Sequence, residues 1–127
     1  MIDNATRLIM GDNTDRVADL YAEPTYVLHP LQPDIPPLIT HDDFRRHGAA
    51  LLERMGRPDS HRAVDIVVHA TIDPELVVTE FRYETTLNGV IMVTPCVWVT
   101  RVREGRVVEA RDYNGEPRPS GPTPGTR

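Results

Sequence analysis

Apolar positions alternate most cleanly between Leu76 and Leu87. Val77, Thr79, Phe81 and Tyr83 fall on one side of that run, and Val78, Glu80, Arg82 and Glu84 on the other. This period of two predicts a half-buried strand with the first set inward. Asn88-Gly89 comes next, a dipeptide that favours a tight hairpin turn. Residues 90–102 then return as a second strand, with Cys96, Trp98, Thr100 and Val102 inward and Arg101 in solvent. Pro95 lies within it and predicts a bulge or an edge position, because proline has no N–H for the ladder. Glu104-Gly105 turns the chain into a last strand over 106–113, which places Val108, Ala110, Asp112 and Asn114 on one face. A further strand over 63–71 comes before the long one, across the Asp73-Pro74 turn.

The first half obeys the helical period instead. Phe44, Gly48, Leu51, Leu52 and Met55 share one face of a helix that Thr40 caps, with Asp43 in its first turn and Gly56 and Pro58 at its end. Val17, Leu20 and Tyr21 repeat that spacing behind the capping residues Asp12, Asn13 and Thr14, and residues 2–10 suit a shorter preceding helix. Between the helical stretches, 25–29 reads as a brief strand, and Pro30, Pro33, Pro36 and Pro37 then interrupt regular structure. Helices succeeded by a meander predict an α+β fold: a strongly curved antiparallel sheet wrapped around N-terminal helices, a cone-shaped barrel with an internal pocket.

Composition narrows the partners. With 127 residues, 39% of them hydrophobic, the chain supports one domain over 1–115. The Pro- and Gly-rich tail over 116–127 buries too little to order itself and is expected to be disordered. A net charge of -5 argues against nucleic acid, whose phosphates call for a basic surface, and Arg101, Arg103 and Arg106 read as solvated charge beside a turn. No apolar run approaches the ~20 residues of a membrane span. A lone cysteine, Cys96, and no secretory pattern at the N-terminus point to the cytoplasm.

Among the residues able to do chemistry, Asp112 stands out because it shares the inward face with Val108 and Ala110. A carboxylate there needs a partner or a shifted pKa, a condition common at functional sites; equally, it can cap a loop or pair structurally. The histidines do not have metal-site spacing: His41 and His47 lie six apart, and no His-x-His or paired Cys exists. His61 is expected in an exposed loop, His69 at either the pocket wall or the solvated face, and Cys96 as inert core.

Gly11-Asp12, Leu20-Tyr21-Ala22-Glu23 and Val27-Leu28-His29-Pro30 resemble the opening of SnoaL-like proteins in the nuclear transport factor two-like superfamily. The run from Val102 to Tyr113 resembles their closing hairpin. The likeness covers roughly residues 2–115, and the superfamily includes polyketide cyclases, ketosteroid isomerases, limonene epoxide hydrolases and non-catalytic binding domains, so fold alone leaves function open. The resemblance puts His29, ahead of Pro30, at the isomerases' catalytic base, but Asn4 at their oxyanion tyrosine and Val97 or Trp98 at their protonated aspartate. Arg111-Asp112-Tyr113 resembles the second aspartate of the epoxide hydrolases, whose remaining arginine and aspartate would fall at Phe81 and Tyr83. A one-residue slip would bring Arg82 and Glu84 inward instead.

The residues and the resemblance together imply a cofactor-independent enzyme of cyclase, isomerase or epoxide-hydrolase type acting on an apolar, oxygenated small molecule. Asp112 serves as general acid or base and His29 as its partner; Tyr83 or Trp98 orients the substrate, and Tyr21, Phe81 and Asn114 complete the binding wall. The alternative is a non-catalytic ligand-binding or dimerisation module in which Asp112 and His29 form a fixed ion pair. The family further implies a homodimer joined through the convex sheet face.

Overall fold

The computed structural model describes residues 17–120. The expected helix over 2–10, the caps at Asp12, Asn13 and Thr14, and Asn4 lie outside that range. A one-turn helix, α1 (Val17–Leu20), runs directly into strand β1 (Tyr21–Leu28). Tyr21 therefore opens a strand rather than closing a helical face. Pro24 keeps the helix from continuing through Glu23, since the residue before a proline is pushed out of the helical region.

The proline-rich loop is hooked back onto β1: Val27 and Leu38 exchange both backbone hydrogen bonds at 3.0 Å. Helix α2 (His41–Met55) then begins at the expected cap Thr40, which Asp43 completes as a capping box, and ends at Gly56. Thr40 Oγ1 accepts from the Asp43 N–H, and Asp43 Oδ2 accepts from the Thr40 and Ile39 N–H groups. Those backbone donors hold the Asp43 carboxyl down to about 2.

Four strands complete the main sheet: β2 (Ser60–Ala70), β3 (Leu76–Leu87), β4 (Val90–Arg103) and β5 (Arg106–Asn114). The bounds of β3 are those the alternation predicts, and both connecting turns have positive φ at each central residue (Asn88 and Gly89, then Glu104 and Gly105). The sheet order is β1-β5-β4-β3-β2. β1 runs parallel to β5, so the sheet is mixed rather than wholly antiparallel, and it is not closed. A pairing between the first and fifth strands leaves no local trace in a sequence.

Two bulges shape the sheet. In β2 the register with β3 shifts between Val64 and Val67, where Asp65 has a φ of 55°. In β5, Arg101 faces Glu109 while Val102 faces Val107, so Val108 is the extra residue. The bulge reverses the expected parity upstream of it: Val107, not Val108, is fully buried.

Pro95 makes no bulge, for the β3–β4 register runs through it unshifted. Its carbonyl accepts from the Gly115 N–H at 2.7 Å. A strand residue presents N and C=O to the same side, so the missing N–H also faces away from β3. It falls in the gap between β5 and a short strand β6 (Arg118–Pro119), which pairs with Met92 and Val93. That pairing orders part of the tail expected to be disordered.

Arg101 is half-buried rather than free in solvent: it donates to Asp73 and Glu109, each at 2.8 Å, and ties the β2–β3 turn to the far side of the sheet. Among the described residues no helix is long and apolar enough to cross a membrane.

Candidate functional site

The concave face of the sheet and helix α2 enclose a cavity of about 460 Å³. Helix α2 presents Phe44, His47, Gly48, Leu51, Leu52 and Met55 to it. These positions keep the i, i+3, i+4, i+7 stripe, so the face that would meet a core in most helices meets the cavity. Tyr83 enters from β3, Trp98 from β4 and Asp112 and Asn114 from β5. Tyr21 and Val27 come from β1, and His29 from the residue just beyond it.

Asp112 is 6% exposed. Its Oδ2 lies 3.8 Å from His29 Nε2, with the two side chains 9% and 7% exposed. That distance suits an ion pair but exceeds hydrogen-bond reach, and both Asp112 Oδ1 and His29 Nδ1 are buried without a partner. Burial also disfavours charge on each group. It pushes the Asp112 carboxyl up to about 8 and, with a smaller contribution from His47, the His29 imidazole down to about 4. Burial thus favours the uncharged form of each group, while their spacing stays within ion-pair distance.

Burial acts on the neighbouring groups as well. Burial first, and the field of Asp112 after it, raises Tyr21 well above its ordinary value and Cys96 to about 12; Tyr83 is raised by burial, then by Cys96 and Asp112. Both cavity tyrosines, and the buried thiol of Cys96 outside the lining, are thus kept protonated.

Of the residues expected at the site, Asp112, His29, Tyr21, Tyr83, Trp98 and Asn114 all line the cavity. Phe81 does not. It is buried behind the wall, edge-on to Tyr83 and Trp98 with ring centroids 5.0 and 4.9 Å away, and it sets their positions. Trp98 is not a free orienting donor either, because its Nε1–H is taken by Asn114 Oδ1 at 2.7 Å.

The slipped register does not occur. Arg82 is exposed and paired with Asp65, and Glu84 accepts from Arg62 at 2.8 Å across β2 and β3. The arginine-plus-carboxylates set implied by the epoxide hydrolases is therefore not assembled in the cavity. His69 faces solvent, paired with Glu80 at 2.6 Å.

Two histidines line the wall that sequence reasoning does not place there. The spacing of His47 from His41 hides it, although it shares the helical face of Phe44 and Leu51. Its ring lies 5.6 Å from that of His29. His61 is exposed as expected, but on β2 rather than in a loop. It stacks on Tyr83 at 4.4 Å and sits 2.8 Å from Thr85 Oγ1 at the mouth. An earlier start to that strand would not by itself reveal it, since the stacking partner lies 22 positions away.

Known proteins bear on the fold. The SnoaL-like domain profile matches residues 5–110. No curated protein matches the chain. Among solved structures, an NTF-2 like protein from Burkholderia xenovorans LB400 is similar at 18% identity and a TM-score of 0.58, over 98% of this chain and 84% of its own. A candidate isomerase from Bacillus subtilis gives 16% and 0.71, over 90% and 85%. A candidate SnoaL-like polyketide cyclase from Jannaschia sp. CCS1 gives 17% and 0.64, over 89% and 83%. At such identities the likeness carries the fold alone. With the profile spanning most of the chain and the curved sheet and helices agreeing, the protein belongs to the SnoaL-like domain family.

Proposed function

We propose that this protein is a cofactor-independent enzyme of cyclase, isomerase or hydrolase type that performs general acid–base chemistry on an apolar, oxygenated small molecule. One observation carries the reading: the buried carboxyl of Asp112, its Oδ1 without a hydrogen-bond partner, lies 3.8 Å from the buried imidazole of His29 in a largely apolar cavity. At neutral pH the protonated Asp112 donates to a carbonyl or ether oxygen of the substrate. His29 accepts a proton from carbon or from water. Tyr83, whose hydroxyl burial keeps protonated, is the orienting donor in place of Trp98. Assistance of this kind is worth ~10²–10⁴-fold in rate. A cavity of this volume suits a ligand of roughly fifteen to twenty non-hydrogen atoms at interior packing density. The setting we propose is cytoplasmic, with two copies joined through the outer sheet face; a monomer by light scattering would remove the dimer.

The test is incubation with panels of enones, epoxides and linear polyketides, with products detected by mass spectrometry. Product from the native protein and none from Asp112→Asn is the expected result. Equal turnover by that variant would remove Asp112 from the mechanism, and ligand retention without product would leave a binding module.

A further inference from the structure

The cavity holds a carboxyl group and no cationic side chain to match it. All fourteen Lys and Arg positions in the chain are arginine, and among the described residues none lines the cavity. His29, the one basic group close to Asp112, is displaced beyond hydrogen-bond distance, and its own burial disfavours the imidazolium. The cavity that holds this carboxyl is also lined by four aromatic side chains: Tyr21, Phe44, Tyr83 and Trp98. Aromatic faces carry negative potential and attract cations, most of all weakly hydrated organic ones that lose little on leaving water. A hard inorganic cation would want several oxygen ligands, and apolar walls cannot replace its hydration shell.

We infer that the cavity is a receptor for an organic ammonium ion, a tertiary or quaternary amine on an apolar body, with ionised Asp112 as counter-ion and the aromatic wall around the charged head. This goes beyond the acid–base reading and does not depend on turnover. Towards a neutral ligand Asp112 is a proton donor; towards a cation it gives up its proton and becomes the missing anion. The cation therefore competes with any neutral substrate for the same carboxyl.

Cation binding must then depend on pH. The groups facing Asp112 are Tyr21 from β1, His29 beyond it, Tyr83 from β3, Cys96 from β4 and, behind His29, His47 from α2. Burial holds the tyrosines and the thiol protonated, and it holds both histidines neutral. Between pH 6.5 and 9, Asp112 alone among them changes charge.

Trp98 is the only tryptophan in the chain and lines the cavity, so intrinsic fluorescence reads occupancy directly. The probes are benzyltrimethylammonium, a permanent cation, and neopentylbenzene, its uncharged carbon isostere. The cation's Kd is expected to fall about 30-fold from pH 6.5 to pH 9, because binding requires the ionised carboxyl. The isostere's Kd should change less than twofold. Asp112→Asn should lower the cation's affinity to that of the isostere at both pH values, and retained isostere binding shows that the variant is folded. Cation binding that is independent of pH, no tighter than the isostere at pH 9, or intact in Asp112→Asn overturns the inference. None of these outcomes touches the proposed turnover of neutral substrates, which has its own readout in product formation.

Discussion

Replacing Asp112 with Asn should make the protein more stable, and more so as pH rises. The carboxyl ordinarily titrates near 3.8 and in the folded chain is pushed up to about 8. At pH 7 the unfolded chain gains the free energy of ionising this group and the folded chain does not. The difference costs the native state on the order of 4 kcal/mol. An amide of the same shape escapes that cost because it is neutral in both states. A gain of this size corresponds to a rise in Tm of about 10 °C or more for a domain of this length.

The pH profile is more telling than the magnitude. A raised carboxyl makes stability fall as pH climbs from 3.8 to 8, by about 1.4 kcal/mol per pH unit, because the folded state holds the proton longer. His29 acts in the opposite sense between about 4 and 6.5, where the unfolded chain is the one that holds the extra proton. In the native protein the two slopes offset each other between about 4 and 6.5, leaving only the rise due to His47 and His61 there and a decline between 6.5 and 8. In Asp112→Asn that decline disappears, and a rise through pH 4 to 6.5 is uncovered, with His47 and His61 adding to it in the same direction. Urea titrations at half-unit pH intervals on both proteins give the two profiles. A variant less stable than the native protein at pH 7.5, or one whose profile keeps the decline, would refute the neutral buried carboxyl.

Two further substitutions test the frame that holds the site. Phe81→Ala removes a buried ring that touches both Tyr83 and Trp98 and should cost about 3–5 kcal/mol in urea denaturation, with a shifted Trp98 emission maximum; a loss under about 1 kcal/mol would mean that the ring does not hold the wall. Thr40→Ala removes half of the capping box and should cost ~1 kcal/mol by thermal denaturation while leaving the cavity intact. An unchanged Tm would show that Asp43 holds the helix start alone.

The elements most legible in the sequence are those decided by local physics. Strict alternation sets the limits of β3, Asn88-Gly89 and Glu104-Gly105 the two hairpins, and Thr40 with Asp43 the start of α2. Asp112 is legible as a carboxylate on an apolar face, and parity places Tyr83 and Trp98 beside it. Long-range geometry is not legible. The parallel pairing of β1 with β5 joins residues about 85 positions apart, and the bulge at Val108 inverts a parity that assumes an unbroken strand. Phe81 and Tyr83 share a face, yet only the latter reaches the cavity, because the depth of a side chain depends on how the sheet curves beneath it. Pairwise spacing of histidines hides His47, which the helical stripe of Phe44 and Leu51 exposes.

No residue of α2 is fully buried. Helices in proteins owe most of their persistence to tertiary packing, and this one packs chiefly against the cavity. Whatever occupies that space becomes the helix's hydrophobic core in all but covalent connection. Guest affinity and the folding of fifteen residues are thereby one equilibrium, so tightening either tightens the other. Amide exchange along His41–Met55 would then register the arrival of a guest before any chemistry begins.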